Sequence, residues 1–298
     1  MAYFLQQLAN AVPIAALYAA LAFGYSIVFA VTRRADIGFG ALFAFAAQMF
    51  ILFFDAGWTR LWLVLPAALA FGAALALVYG VGTGLAIGRY VMRPLSFSSD
   101  NTVVVAAVGV VLVLMETARL AAETRDLWLP PFLNRPVVLW ADPAFPVTLT
   151  TIQLVNTLAM ALLVAGGHLF LARSGWGRRW RAVSDDRQAA ELCGVDSAGV
   201  YLGAFALAAS VASVSGILAA SYYGNLDFGS GLTFGVKVLF IAAVGGYGAP
   251  LASALGGVLV GVAETLWGAY GAFLWRDFVI FSGLVLLLVI FRRDKAVP

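Results

Sequence analysis

Residues 173–199 read RSGWGRRWRAVSDDRQAAELCGVDSAG, the one long polar interruption in an otherwise apolar chain. Of 298 residues, 63% are hydrophobic and 11% charged, and the mean hydropathy is +0.96. Soluble domains run at roughly 45–50% apolar and about 25% charged. The chain therefore reads as an all-α polytopic membrane protein, and residues 173–199 as its largest loop in water.

Stretches able to cross a hydrocarbon core of about 30 Å, which takes roughly 17 to 25 residues, occur at about 8–31, 61–88, 101–121, 149–172, 199–222 and 250–272. Three shorter runs, at about 37–54, 234–246 and 277–291, fit either full spans or broken, re-entrant pieces. The expected bundle has 8–9 spans, with nine as the working count. It is expected to form a single transmembrane domain: a first half over 1–121, an external loop over 122–148, a linking span over 149–172, a cytoplasmic loop over 173–198 and a second half over 199–298.

Lysine and arginine accumulate in cytoplasmic loops. With residues 173–199 inside and nine spans alternating, twelve of the eighteen basic residues fall inside: Arg33, Arg34, Arg89, Arg93, Arg173, Arg178, Arg179, Arg181, Arg187, Arg292, Arg293 and Lys295. Arg60, Arg119, Arg125, Arg135, Lys237 and Arg276 make up the other six. The bias predicts an outside N-terminus and a cytoplasmic C-terminus. The opening MAYFLQQLANAVP lacks a basic n-region and a small-residue cleavage site, so no removable signal peptide is expected.

Several chemistries are excluded early. Cys193 is the single cysteine and His168 the single histidine, which rules out an internal disulfide and a Cys/His metal cluster. His168 reads as a packing or interfacial residue. Gly80-Val-Gly-Thr-Gly84 lies inside an apolar run and the chain contains no GxxxxGK[ST] motif, so any nucleotide hydrolysis falls to another protein. Gly80, Gly82, Gly84 and Gly88, like Gly256, Gly257 and Gly261, read as close-packing faces of helices. The proline-rich 122–148 segment, with Trp128 and Trp140, fits an ordered loop at headgroup level, either a connector or a contact surface for a soluble partner.

Two short segments resemble one another. TRRADIGFGALFAFAAQMF follows the first span and NLDFGSGLTFGVKVLFIAAVGG the sixth. Each has an aspartate, an apolar residue and Gly-x-Gly: Asp36, Gly38, Gly40 in one and Asp227, Gly229, Gly231 in the other. The first lies inside and the second outside, which predicts an inverted repeat. Paired glycine-interrupted segments of this kind point to a midplane substrate site. The expected translocation path accordingly includes Asp36, Gly38, Gly40, Asp227, Gly229, Lys237, Gly245, Gly246 and Glu264. Lys237 is expected to snorkel outward, with substrate contact as its other reading. Glu264 has no basic residue three or four positions away, so it either lines the path or accepts backbone hydrogen bonds from a neighbouring helix. Glu116 and Arg119, spaced i, i+3, form a structural pair.

Within the polar loop, residues 182–193 read as one short helix. Ser184, Asp185 and Asp186 favour its start, Ala189, Ala190 and Leu192 give it a small apolar face, and Gly194 stops it. It is either a docking helix for a partner or a solvated linker.

The chain resembles the permease subunits of branched-chain amino-acid (Liv-type, hydrophobic amino-acid uptake) ABC importers over nearly its whole length. The matching segments are LYAALAFGYSIVFAV in the first span, Tyr90-Val-Met-Arg-Pro-Leu95, RAVSDDRQAAELCGVD and AAVGGYGAPLASALGGVLVGVAE, which ends at Glu264. The resemblance implies a subunit of the bacterial-type inner membrane that carries no cofactor and catalyses no reaction. Its implied partners are a second, homologous and non-identical permease, two cytoplasmic ATPase subunits that bind ATP and Mg, and an external substrate-binding protein. It also implies that Asp185, Asp186, Ala189, Ala190, Glu191, Leu192 and Gly194 belong to a coupling helix seated in the ATPase. Where the family often carries Asn-Phe-Ala-His-Gly, this chain has Asp36-Ile-Gly-Phe-Gly40. An importer of urea, short amides or another small polar solute is thus the second reading. A passive small-solute channel, distinguished by uptake without ATP, and an intramembrane enzyme, which would need clustered catalytic groups, are the readings from other classes.

Overall fold

The computed structural model describes residues 2–97, 99–141, 146–246 and 248–290. Arg292, Arg293 and Lys295, counted above as inside residues, lie outside the described residues.

Among the described residues the chain forms eleven α-helices. They are α1 (Ala2–Thr32), α2 (Gly38–Thr59), α3 (Leu65–Ala86), α4 (Asp100–Ala121), α5 (Thr151–Arg173), α6 (Gly175–Asp185), α7 (Arg187–Leu192), α8 (Ser197–Tyr223), α9 (Ser230–Gly245), α10 (Pro250–Tyr270) and α11 (Arg276–Ile290). Seven of them, α1 to α5, α8 and α10, are long and apolar enough to cross a membrane, α3 continuing through a π-helical turn to Met92. The 16-residue α9 and 15-residue α11 fall short of that length. The borderline 37–54 run proves to be a full 22-residue helix, α2.

One departure from an all-helical chain is a small antiparallel hairpin in the 122–148 region and the residues after it. Its strands are β1 (Pro136–Trp140) and β2 (Val147–Thr150), with Pro136 opposite Thr150. Gln6 on α1 grips this hairpin through its amide, donating to the Thr148 carbonyl at 2.8 Å and accepting from the Thr148 N–H at 2.8 Å. The opposite end of α1 meets α6. There the Trp180 indole donates to the Ile27 carbonyl at 3.1 Å, and the Arg33 guanidinium caps the end of α6 at the Ser184 and Asp185 carbonyls. With 31 residues at about 1.5 Å each, α1 connects a hairpin end and an α6 end of the bundle.

The packing of α1–α4 has a counterpart in α8–α11. Helix α1 packs on α10 as α8 packs on α3; α2 packs on α3 and α4 as α9 packs on α10 and α11; α2 meets α8 as α9 meets α1. The glycine faces take matching roles. A methyl group at Gly80 or Gly84 of α3 would run into Ser213 or Ala209 of α8, and one at Gly257 or Gly261 of α10 would run into the Tyr18–Ala19 backbone or Ala15 of α1. Small residues at these four positions let the backbones approach closely, the main source of helix adhesion where lipid competes for every apolar side chain. Helix α5 is only loosely covered by the rest of the chain. It begins with a capping box, in which Thr150 and Gln153 bond reciprocally to each other's backbone.

Candidate functional site

A cavity of about 480 Å³ lies toward the hairpin end, between α1, α8, α9, α10 and α11. Ile14, Leu17 and Phe234 supply apolar wall, Trp128 comes from the loop before the hairpin, and Tyr223, Asn225 and Asp227 come from the α8–α9 connection. Buried in the wall is an ionic cluster centred on Lys237 of α9. Its Nζ lies 3.0 Å from Glu264 Oε1 on α10 and 3.0 Å from Asp277 Oδ1 on α11. The Tyr18 hydroxyl of α1 donates to Glu264 Oε2 at 2.8 Å, and Arg276 Nε lies 3.5 Å from Glu264 Oε1. The side chains of Lys237 and Glu264 are only 5% and 7% exposed. Desolvating two charges is costly, and only close pairing with further hydrogen bonds offsets it.

This arrangement corrects two expectations. Lys237 does not snorkel outward: two carboxylates and the Tyr18 ring and hydroxyl hold it inward. For Glu264 only one of its two readings is corrected: it accepts from the Lys237 and Tyr18 side chains and not from a neighbouring helix backbone, while it does border the cavity, as the other reading has it. Glu116 and Arg119 do pair, at 2.8 Å.

The two aspartates of the repeated motif make the same local turn. Asp36 Oδ1 accepts the Gly38 N–H at 2.8 Å at the entry to α2, and Asp227 Oδ2 accepts the Gly229 N–H at 3.0 Å at the entry to α9. Their surroundings differ. Asp227 is exposed in the hairpin-end cavity, whereas Asp36 is buried and borders a second cavity, of about 170 Å³, toward the α6 end with Arg34, Met92, Arg187 and Tyr201.

Between the two cavities α2 crosses α9 at glycine. A Cβ at Gly40 would sit 2.2 Å from the N and Cα of Gly235 and 2.5 Å from the Gly231 carbonyl. The crossing is a contact of bare backbones, which only glycine at position 40 permits. Gly38 and Gly229 face the aspartates of their own turns. Gly245 packs on Ser253 of α10, and Gly246, at φ +91°, makes the α9–α10 turn; neither lines either cavity.

At the α6 end the polar loop folds as two helices, where one over 182–193 was expected. Asp186 leaves the helical region at φ −146°, ψ 110°, so α6 ends at Asp185 and Asp186 caps α7 by accepting the Ala189 N–H at 3.0 Å. The expected apolar face is also rearranged. Ala190 is buried with Trp180 and Val183, while Ala189 is exposed and Leu192 is 90% exposed. Asp185, Asp186, Glu191 and Gly194 share the exposed surface, and Gly194, at φ +83°, ends α7. The Ser197 hydroxyl and then the Arg187 guanidinium, which lies 3.0 Å away, hold the Glu191 carboxyl below the usual carboxylate range.

Sequence reasoning missed Tyr18, Trp128, Ser230, Arg276 and Asp277 as cavity residues. Asp277 and Arg276 carried a readable signal: a lysine in an apolar run needs a carboxylate, and Asp277 opens the next borderline run.

A model of the family described as branched-chain amino acid transport system permease component matches residues 7–290. Curated relatives include the high-affinity branched-chain amino acid transport system permease protein LivH of Escherichia coli K12, 29% identical over 296 residues, covering 97% of this chain and 94% of the relative. The corresponding BraD of Pseudomonas aeruginosa is 27% identical over 294 residues, with 97% and 94% covered. The autoinducer 2 import system permease protein LsrC of Escherichia coli is 26% identical over 294 residues, with 91% and 74% covered. No solved structure matches.

Proposed function

The chain belongs to the family of branched-chain amino acid transport permeases, and we propose that it is the membrane-spanning subunit of an ATP-driven importer for branched-chain or other hydrophobic amino acids. Its N-terminus and hairpin end face outward, where a substrate-binding protein delivers cargo. Its α6 end faces the cytoplasm. A second, homologous and non-identical permease completes the channel, and two cytoplasmic ATPase subunits, which carry ATP and Mg, engage the α6–α7 surface. Asp185, Asp186, Ala189, Glu191, Leu192 and Gly194 make that contact, with Ala190 anchoring α7 to the bundle. ATP-driven movement of α7 is passed through α6, which is fastened to α1 by Trp180 and Arg33. The spans then rock about the α2–α9 crossing and open the path alternately past Asp227 and Asp36.

One observation carries the reading: two cavities toward opposite ends, each bordered by an aspartate that opens a helix, with those two helices touching between them at Gly40 and Gly235. A second reading, an importer of a small polar solute, is favoured by the carboxylate of Asp36 where the resembling family carries an amide. Uptake of labelled leucine, valine and urea by cells with and without the chain separates them. Loss of leucine and valine uptake with urea unchanged supports the first reading. Loss of urea uptake alone supports the second, and no change in any of the three overturns both.

A further inference from the structure

We propose that the corner between α5 and α6 is a binding site for an anionic phospholipid, whose headgroup is held by Arg173 and Arg179 beside the stacked rings of Phe170 and Trp176. The site depends on α5 crossing the membrane and not on the cargo.

The sequence sets up an uncompensated charge. Arg173, Arg178, Arg179 and Arg181 fall in one short stretch, and no Asp or Glu occurs between Thr151 and Ser184. Arg181 is accounted for within the fold. Its guanidinium donates to the Leu171 carbonyl at 2.7 Å and the Ala172 carbonyl at 3.5 Å, meeting acceptors left over at the end of α5. Arg173, Arg178 and Arg179 are exposed and have no ion pair or side-chain hydrogen bond among the described residues.

The corner that carries them is held firmly. Ser174 caps α6 by accepting the Gly177 N–H at 2.9 Å, and a Cβ at Gly177 would overlap the Leu171 carbonyl, so the first turn of α6 lies directly against the end of α5. The Phe170 and Trp176 rings stack across the corner, with centroids 5.8 Å apart and planes 27° apart. Arg173 follows Phe170 by three positions on α5, and Arg179 follows Trp176 by three positions on α6. Residues so spaced are neighbours on a helix surface. The two arginines therefore flank the ring stack, one from each helix.

The surroundings identify the occupant. Leu169 and Phe170 are exposed on a span that the rest of the chain covers only loosely, so this side of α5 faces acyl chains. Tryptophan and arginine at the end of such a span sit at headgroup depth. A guanidinium binds phosphate oxygens through paired hydrogen bonds, and Arg178 beside Arg179 adds to the attraction for net negative charge. A phospholipid fills both parts of the site, its phosphate on the arginines and its chains on Leu169 and Phe170. Inorganic phosphate fills only the first.

The test uses the purified full chain in phosphatidylcholine nanodiscs with a trace of photoactivatable phosphatidylglycerol, its diazirine on an acyl chain, and maps the labelled peptides by mass spectrometry. Labelling should concentrate on residues 169–180. Unlabelled phosphatidylglycerol should displace it at a mole fraction at least about fivefold lower than added phosphatidylserine-free zwitterionic lipid, since one arginine near the surface is worth about that factor. Arg173→Gln and Arg179→Gln should each lower the preference about fivefold. The corresponding lysine variants should keep most of it, and Arg125→Gln, on the hairpin-end loop, should leave it unaltered. Arg179→Gln lies outside the span and supplies the readout if Arg173→Gln does not insert. Labelling spread evenly over the span ends, zwitterionic lipid displacing as well as phosphatidylglycerol, or displacement by inorganic phosphate overturns the proposal. An unchanged preference in both glutamine variants overturns it too, and weakened ATPase binding by those variants would then assign the arginines to an acidic protein surface.

Discussion

Replacing Lys237 with methionine tests whether the buried cluster is held by mutual compensation. Glu264 would then keep the Tyr18 hydroxyl at 2.8 Å and Arg276 at 3.5 Å, but lose the cation at 3.0 Å. Removing one member of a buried pair costs about 3 to 5 kcal/mol, because the remaining charge stays desolvated. Glu264→Gln should cost less, about half as much, since Lys237 still has Asp277 at 3.0 Å and the glutamine amide can still accept from Tyr18. The double variant removes one charge of each sign and leaves Arg276 beside Asp277. It should be more stable than the sum of the single losses by about 1 to 3 kcal/mol. Unfolding of the purified proteins by sodium dodecyl sulfate in mixed micelles, followed by circular dichroism, measures all three. Additivity within about 0.5 kcal/mol, or a Lys237→Met protein as stable as the parent, would refute the argument.

Gly40→Ala should destabilise by about 1 to 3 kcal/mol, because its Cβ would start 2.2 Å from the Gly235 backbone and ordinary contact begins at 3.4 Å. Gly82→Ala, with nothing within 4 Å, should be neutral or gain up to about 1 kcal/mol of helix propensity; equal melting temperatures for the two variants would contradict the crossing. Leu192→Glu should leave folding unchanged and lower the ratio of leucine imported to ATP hydrolysed, since Leu192 is 90% exposed. An unaltered ratio would remove Leu192 from the coupling surface. Asp186→Ala should cost about 1 kcal/mol by uncapping α7, read as faster amide exchange at Ala189, whose N–H would lose its acceptor.

The membrane helices were legible because a span is a local property: its length and apolarity are written in consecutive residues. The 37–54 run was ambiguous only because Asp55 and Gly57 interrupt its apolar character, while the helix itself continues to Thr59. The repeated Asp-x-Gly-x-Gly motif revealed the two matching turns. It carried no information on the crossing, because Gly40 and Gly235 meet through the packing of whole helices. Lys237 was misread for the same reason. Its partners lie 27 and 40 positions away, and the snorkelling rule describes a lysine facing lipid, not one facing a neighbouring helix. The hairpin and α6 were present but overlooked. Pro136-Val-Val-Leu-Trp140 has the β-branched and aromatic character of a strand. Trp176, Trp180 and Val183 repeat at i, i+4, i+7 after the capping Ser174, which marks an amphipathic helix. In both cases a short local pattern is outweighed by the composition of the stretch around it, proline-rich in one and charged in the other.

The most direct test of the account is leucine accumulation in proteoliposomes. The chain would be reconstituted with the proposed partners, a homologous permease, ATPase subunits and a substrate-binding protein, and ATP supplied on the ATPase side. The account predicts that leucine rises above its outside concentration only when both ATP and this chain are present. Leucine that merely equilibrates, at the same rate with and without ATP, would contradict it and identify a passive channel.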